Sequence, residues 1–151
     1  MLRTIVGFRA DDAGDFVADL SCLHGQHVRH SPPFRVRPWV QTIEGRTAHL
    51  GTALDCPLCD RAELPDGLRK VRTAGPFDDA TLPPALRAPH RVAESTWALL
   101  RVEGGSVRLT IDTDPPIDVQ LHAGDTQPIP PTVTHRVGLE QATITIDFFT
   151  R

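Results

Sequence analysis

The sequence predicts a mostly β protein in two parts: a small zinc-ribbon-like N-terminal module and a larger β-sandwich or barrel. Three observations carry this. Fourteen prolines and eleven glycines among 151 residues interrupt the chain too often for long helices. Strand-sized apolar runs, separated by Gly, Pro and Asp, recur from residue 96 to the C-terminus. All three cysteines, Cys22, Cys56 and Cys59, fall in the N-terminal part. An apolar content of 40% is enough for packed cores and argues against disorder.

The first part opens with a hairpin. Segments 3–9 and 16–22 are rich in Val, Ile and Phe, and Asp11-Asp12-Ala13-Gly14 between them has turn chemistry. The second strand leads to Cys22. A proline- and arginine-containing loop, "SPPFRVRP", follows, then "WVQTIEGRTAHLG", read as a short strand and a short helix stopped by Gly51. "CPLC" at 56–59 precedes a linker-like "DRAELPDG". The module therefore spans 1–62 and the second part 63–151. In that part the expected strands are 96–102, 106–111, 117–121, 133–137 and 142–149, the last two forming a hairpin. No internal repeat is present.

Charge and composition exclude some functions. A net charge of −3 gives no general attraction to nucleic acid or anionic membrane. Only Arg29, Arg35 and Arg37, beside His30, make a local basic spot. No run approaches the roughly 20 apolar residues that cross a bilayer, and "MLRTIVGFRADD" lacks the apolar region of a secretory signal. An odd number of cysteines suits a cytoplasmic protein better than a disulfide framework. No motif makes Ser21, Ser31, Ser95 or Ser106 a nucleophile, and no catalytic residue is assigned.

The cysteines point to metal. A C-x-x-C turn lets two thiolates converge on one ion, and zinc prefers four tetrahedral thiolate or imidazole ligands. Cys22, Cys56 and Cys59 plus one histidine complete such a shell. The histidine is His24 or His27. His30 and His49 are read as surface or supporting groups. A closed shell leaves no position for substrate, so the zinc is structural, a usual remedy for a module too small to hold itself together by core packing. The rivals are a redox C-x-x-C, which lacks a βαβ context here, and buried inert thiols.

The run "IVGF…DLSC-x-H-x-QHVRH-x-PP…RPWV…G…LDCPLC" resembles a small bacterial domain family of unknown function. Leu23 stands where that family has glycine, which keeps His27 open beside His24. The stretch "LPDGLRKVRT…ATLPPALRAPHRV…STWALLRVEGGSVRL…AGDTQPIPPTVTHRV…TITIDFF" resembles a cupin-like family found in tellurite-resistance-associated proteins. That resemblance implies a cupin-like double-stranded β-helix (jelly roll) whose cup holds a divalent metal, Zn²⁺ or Fe²⁺, on His90, His135 and Asp147. The H-x-H of a general cupin is missing from "TWALLRV". Sequence alone does not fix the register that decides whether Asp147 shares a face with His135. Glu94 is an alternative ligand, His122 is expected at the surface, and Trp97 in the core.

Together these readings describe a metal-binding cupin-like protein with a structural zinc module. It would bind a small ligand or act in resistance to tellurite, another oxyanion or related chemical stress, as a homodimer. The alternative is a zinc-knuckle adaptor that contacts protein or nucleic acid through Arg29, Arg35 and Arg37 on a non-catalytic dimeric scaffold. The charge balance argues against nucleic acid.

Overall fold

The computed structural model describes residues 1–151. The chain divides into two compact units at the C-P-L-C turn. In the N-terminal unit β1 (Leu2–Ala10), β2 (Phe16–Leu20), β3 (Gly25–His27) and β4 (Ala53–Asp55) form one antiparallel sheet, in the order β3-β2-β1-β4. An aspartate closes the first hairpin: Asp11 Oδ1 accepts the N–H groups of Ala13 and Asp15, both at 2.9 Å. Ile5, Val17, Leu20, Val28 and Val40 are buried.

β2 stops at Leu20 because Leu23 turns left-handed, with φ +71°, and its N–H returns to the Leu20 carbonyl at 2.8 Å. A strand was expected around Trp39; a 3-10 turn, Pro38–Gln41, stands there instead. It leads into α1 (Ile43–His49), which is capped by Thr42 Oγ1 accepting the Gly45 N–H at 3.0 Å. The Trp39 ring stacks on His49 at 3.7 Å and meets Phe8 edge-on at 6.0 Å, contacts that an extended segment would not provide.

The second unit contains α2 (Pro57–Asp60), β5 (Arg69–Phe77), α3 (Pro84–Arg87), β6 (Trp97–Ile111), β7 (Ile117–His122), β8 (Thr126–Ile129) and β9 (His135–Thr150). Its sheet runs β5-β9-β6-β7, with β8 also paired to β6. The architecture is mostly β, as the sequence predicts, with one five-stranded antiparallel sheet in the second unit. The expected strand pairs are wrong in detail. Segments 96–102 and 106–111 are one strand, and 133–137 and 142–149 are another, the two pairing along their length from Trp97↔Phe149 to Ile111↔His135. β5 and β8 were not foreseen. β5 is a mostly exposed edge rich in Arg and Lys, and β8 carries Pro128; both are habits of edge strands that weaken an alternating signal.

Leu100, Val102, Val107, Leu109 and Ile111 of β6 pack with Val137, Ala142, Ile144 and Ile146 of β9. In β6 the buried aliphatic positions are even-numbered up to 102 and odd-numbered from 107; in β9 the aliphatic ones switch in the same stretch, Trp97 and Asp147 being buried on the opposite face. The cause is an irregularity shared by both strands, where Val102↔Ile144, Gly104↔Thr143 and Ser106↔Glu140 interrupt the regular register. Gln141 takes φ +49° and Gly105 φ +71°, and a Cβ on Gly105 would lie 2.0 Å from the Gln141 carbonyl oxygen. Gly104 has open space. Gly105→Ala is therefore expected to lower unfolding free energy by about 3 kcal/mol, and Gly104→Ala by less than about 1 kcal/mol. Urea denaturation of the two variants checks the contrast.

Candidate metal centre and ligand cup

Cys22 and His24 flank left-handed Leu23 in the tight turn between β2 and β3, Cys56 follows β4, and Cys59 lies in α2. The reversal at Leu23 lets both of its neighbours reach one point; a glycine would take this conformation without strain. The ligand atoms of Cys22, His24, Cys56 and Cys59 all lie within 4.8 Å of one another, and all four residues are buried. No disulfide links the cysteines.

The spacing fits a tetrahedral ion. Thiolate bonds of about 2.3 Å and an imidazole bond of about 2.05 Å require S···S edges of about 3.8 Å and N···S edges of about 3.5 Å. The Cys22 and Cys56 sulfurs are 3.9 Å apart. His24 Nδ1 is 3.5 Å from each of them. The electrostatics agree. Burial pulls the His24 pKa down, but hydrogen bonds to the Cys22 and Cys56 sulfurs and their negative charge outweigh it, and the pKa rises to about 9. Cysteine sulfur thus favours positive charge at this place, and the cluster could hold a metal.

The other histidines of this region are engaged elsewhere. His27 is half-exposed and its Nε2 meets the Asp11 carboxylate at 2.7 Å; that hydrogen bond holds the Asp11 pKa below its ordinary value. The structure brings His24, and not His27, to the cysteines. His30 Nδ1 accepts the Arg37 N–H at 3.0 Å, and His49 Nδ1 bonds the Gly45 carbonyl at 2.8 Å. The three arginines do not act alike: Arg29 pairs with Asp15 at 3.0 Å, Arg35 is exposed, and Arg37 has a buried Nη1.

In the C-terminal unit His90 and His135 exchange backbone hydrogen bonds of 2.9 and 3.0 Å, which sets their rings 4.1 Å apart. Each Nδ1 bonds a carbonyl: His90 that of Ala88 at 2.9 Å, and His135 that of Val133 at 3.0 Å. A carbonyl only accepts, so each Nδ1 carries the hydrogen and each Nε2 offers a lone pair when the ring is neutral. His135 is buried, and desolvation, with a smaller contribution from the neighbouring His90 charge, pushes its pKa down to about 4 against the bond to Val133. The pair lines a cavity of about 630 Å³, together with apolar side chains such as Leu82, Leu100, Ile144 and Phe148.

Asp147 does not join them. It lies beyond the irregularity at Gln141, opposite Leu99 in the ladder, where odd-numbered residues of β9 turn away from the cavity. There it is buried and accepts a hydrogen bond from Thr73 Oγ1, with Lys70 and Arg101 at 3.6 and 3.4 Å. Glu94 and His122 are exposed, do not line the cavity either, and Trp97 is fully buried. Sequence reasoning missed Arg72 and Arg91 in the cavity lining. Arg91 follows His90 directly, but Arg72 enters only through the pairing of unforeseen β5, where it opposes Phe148.

The model of the TehB-like domain matches residues 72–147, just over half of the chain, and the chain belongs to that family. Residues 6–63 match a second family, described as a protein of unknown function, DUF3565. No curated protein matches. Among solved structures, a protein from E. coli strain K12 is 19% identical with a TM-score of 0.53, covering 58% of this chain and 95% of its own. TehB from Haemophilus influenzae is 17% identical with a TM-score of 0.49, covering 57% of this chain. This chain spans 32% of that protein. A cupin-2 domain-containing protein from Shewanella frigidimarina is 18% identical with a TM-score of 0.34, covering 56% of this chain and 67% of its own. At 19% identity the likeness to the E. coli protein is one of fold. No helix is long and apolar enough to cross a membrane.

The depressed His135 pKa has a stability consequence with a definite sign. The unfolded imidazole takes up a proton near 6.5 and the folded one near 4, so this residue's contribution falls as pH drops through that window, by about 3 kcal/mol in total. Urea midpoints of the C-terminal unit at pH 7 and pH 4.5 should show the loss, and a His135→Gln variant should flatten it.

Proposed function

We propose that the protein is a cupin-like small-molecule-binding domain joined to an N-terminal module organised by one structural zinc ion, and that it serves in the cytoplasm in resistance to tellurite, another oxyanion or related chemical stress. The observation that carries the zinc reading is the set of edges among Cys22, His24 and Cys56, which are those of a tetrahedral thiolate–imidazole shell that Cys59 completes. Three sulfurs and one imidazole favour zinc over hard cations such as Mg²⁺ or Ca²⁺. The stress-response element is supported by family relationship alone, and fold does not fix function.

A second divalent ion, Zn²⁺ or Fe²⁺, would find only the His90 and His135 Nε2 atoms in the cup. No carboxylate, cysteine or third histidine lines the cavity, whereas open zinc sites commonly have three protein ligands. The apolar lining supports an organic occupant over a metal there.

Elemental analysis tests the zinc assignment. The wild-type chain should carry one equivalent of zinc, and Cys56→Ser and Cys59→Ser should lose it. His24→Ala should weaken zinc retention against a competing chelator by at least about tenfold, while His27→Ala should retain it fully. Full zinc content and unchanged stability in Cys56→Ser would overturn the assignment.

A further inference from the structure

We propose that the cup binds apolar organic anions, molecules that join an aromatic or aliphatic body to one acidic group. The proposal rests on the reading of the cup as a small-molecule site and names the class of its ligand.

Size sets the first limit. A cavity of about 630 Å³ lies within the range that holds organic ligands of some twenty non-hydrogen atoms, roughly 300–1,000 Å³. The lining sets the second. Val71, Phe77, Leu86 and Phe148 present hydrocarbon to the space, with buried Leu100 and Ile144 behind them, so a ligand must carry apolar surface to gain from entering.

Charge sets the third. Arg72 and Arg91 are the lining's two permanently charged side chains, and no aspartate or glutamate is among its residues. Several arginines elsewhere find carboxylates: Arg9 pairs with Asp19, Arg29 with Asp15 and Arg108 with Asp118. The two at the cavity do not. The Arg72 guanidinium lies 4.1 Å over the Phe148 ring, and Arg91 donates from Nε to Thr134 Oγ1 at 2.9 Å. Both are exposed, so they can meet an acidic group at the rim while the apolar body enters. A planar guanidinium with unused N–H donors suits a carboxylate or sulfonate. The neutral His135 wall adds a lone pair for a hydroxyl or N–H of the ligand.

Two fluorescent probes test this on the full-length, zinc-loaded protein. 8-Anilinonaphthalene-1-sulfonate is an apolar anion, and N-phenyl-1-naphthylamine is the same framework without the sulfonate. The anion should bind with a Kd about tenfold lower than the neutral probe, since two partly exposed ion pairs give about that ratio. An Arg72→Gln/Arg91→Gln variant should bring the two Kd values within about twofold, chiefly by weakening the anion. Ala74→Leu, which adds bulk to the lining, should weaken both probes. Equal affinities in the wild type, or an unchanged ratio in the double arginine variant, would overturn the anion assignment while leaving the small-molecule reading in place. Failure of both probes to bind, or indifference of both to Ala74→Leu, would overturn that reading and the proposal with it.

Discussion

The long antiparallel ladder between β6 and β9 is the constraint on which the C-terminal unit depends. Strands of 15 and 16 residues pair from end to end. Every other strand hangs from one of them, β5 from β9 and both β7 and β8 from β6. Their shared buried face, mostly Leu, Ile and Val, is both the core and one wall of the cup. Backbone pairing alone would not hold so extended an element, since exchanging water for peptide partners contributes little net per bond; burial of that aliphatic face supplies most of the driving force. The His90–His135 bridge is attached at the very end of this ladder, which is why two residues far apart in sequence have adjacent rings.

The two units solve opposite electrostatic problems with the same residue type. His24 is buried, and the sulfurs around it raise its pKa to about 9. His135 is buried among hydrocarbon, and its pKa falls to about 4. Burial alone disfavours the charged imidazole in both cases; the partner decides the outcome. One environment sets two sulfurs 3.5 Å from the imidazole. The other leaves two arginines at the rim of an apolar space with no acid among the lining residues.

Much of this was legible in the sequence because some signals are local. A C-x-x-C turn and a C-x-H hook each prescribe a convergence, and the N-terminal hairpin announces itself by segments rich in Val, Ile and Phe on either side of Asp11-Asp12-Ala13-Gly14. The choice between His24 and His27 stayed open because leucine at 23, where the resembled family has glycine, spoke against a tight turn; Leu23 nevertheless takes φ +71° and brings His24 to the cysteines. The place of Asp147 was hidden for a different reason. Reading 133–137 and 142–149 as a hairpin assumed a turn where the chain instead runs on through an irregularity, and parity arguments fail across such a defect. β5 and β8 were missed because edge strands carry charge and proline in place of alternation.

The paired irregularity at Gly105 and Gln141 reaches beyond local geometry. Because both strands change parity together, the halves on either side stay in phase, and each still presents aliphatic side chains inward. Removing or adding one residue on a single strand would break that agreement and turn one half inside out, exposing leucine and isoleucine and driving arginine and threonine into the interior. Related chains should therefore drift freely in residue type through this stretch except at the glycine, yet keep its length fixed, so that gaps accumulate in the connecting loops and not here.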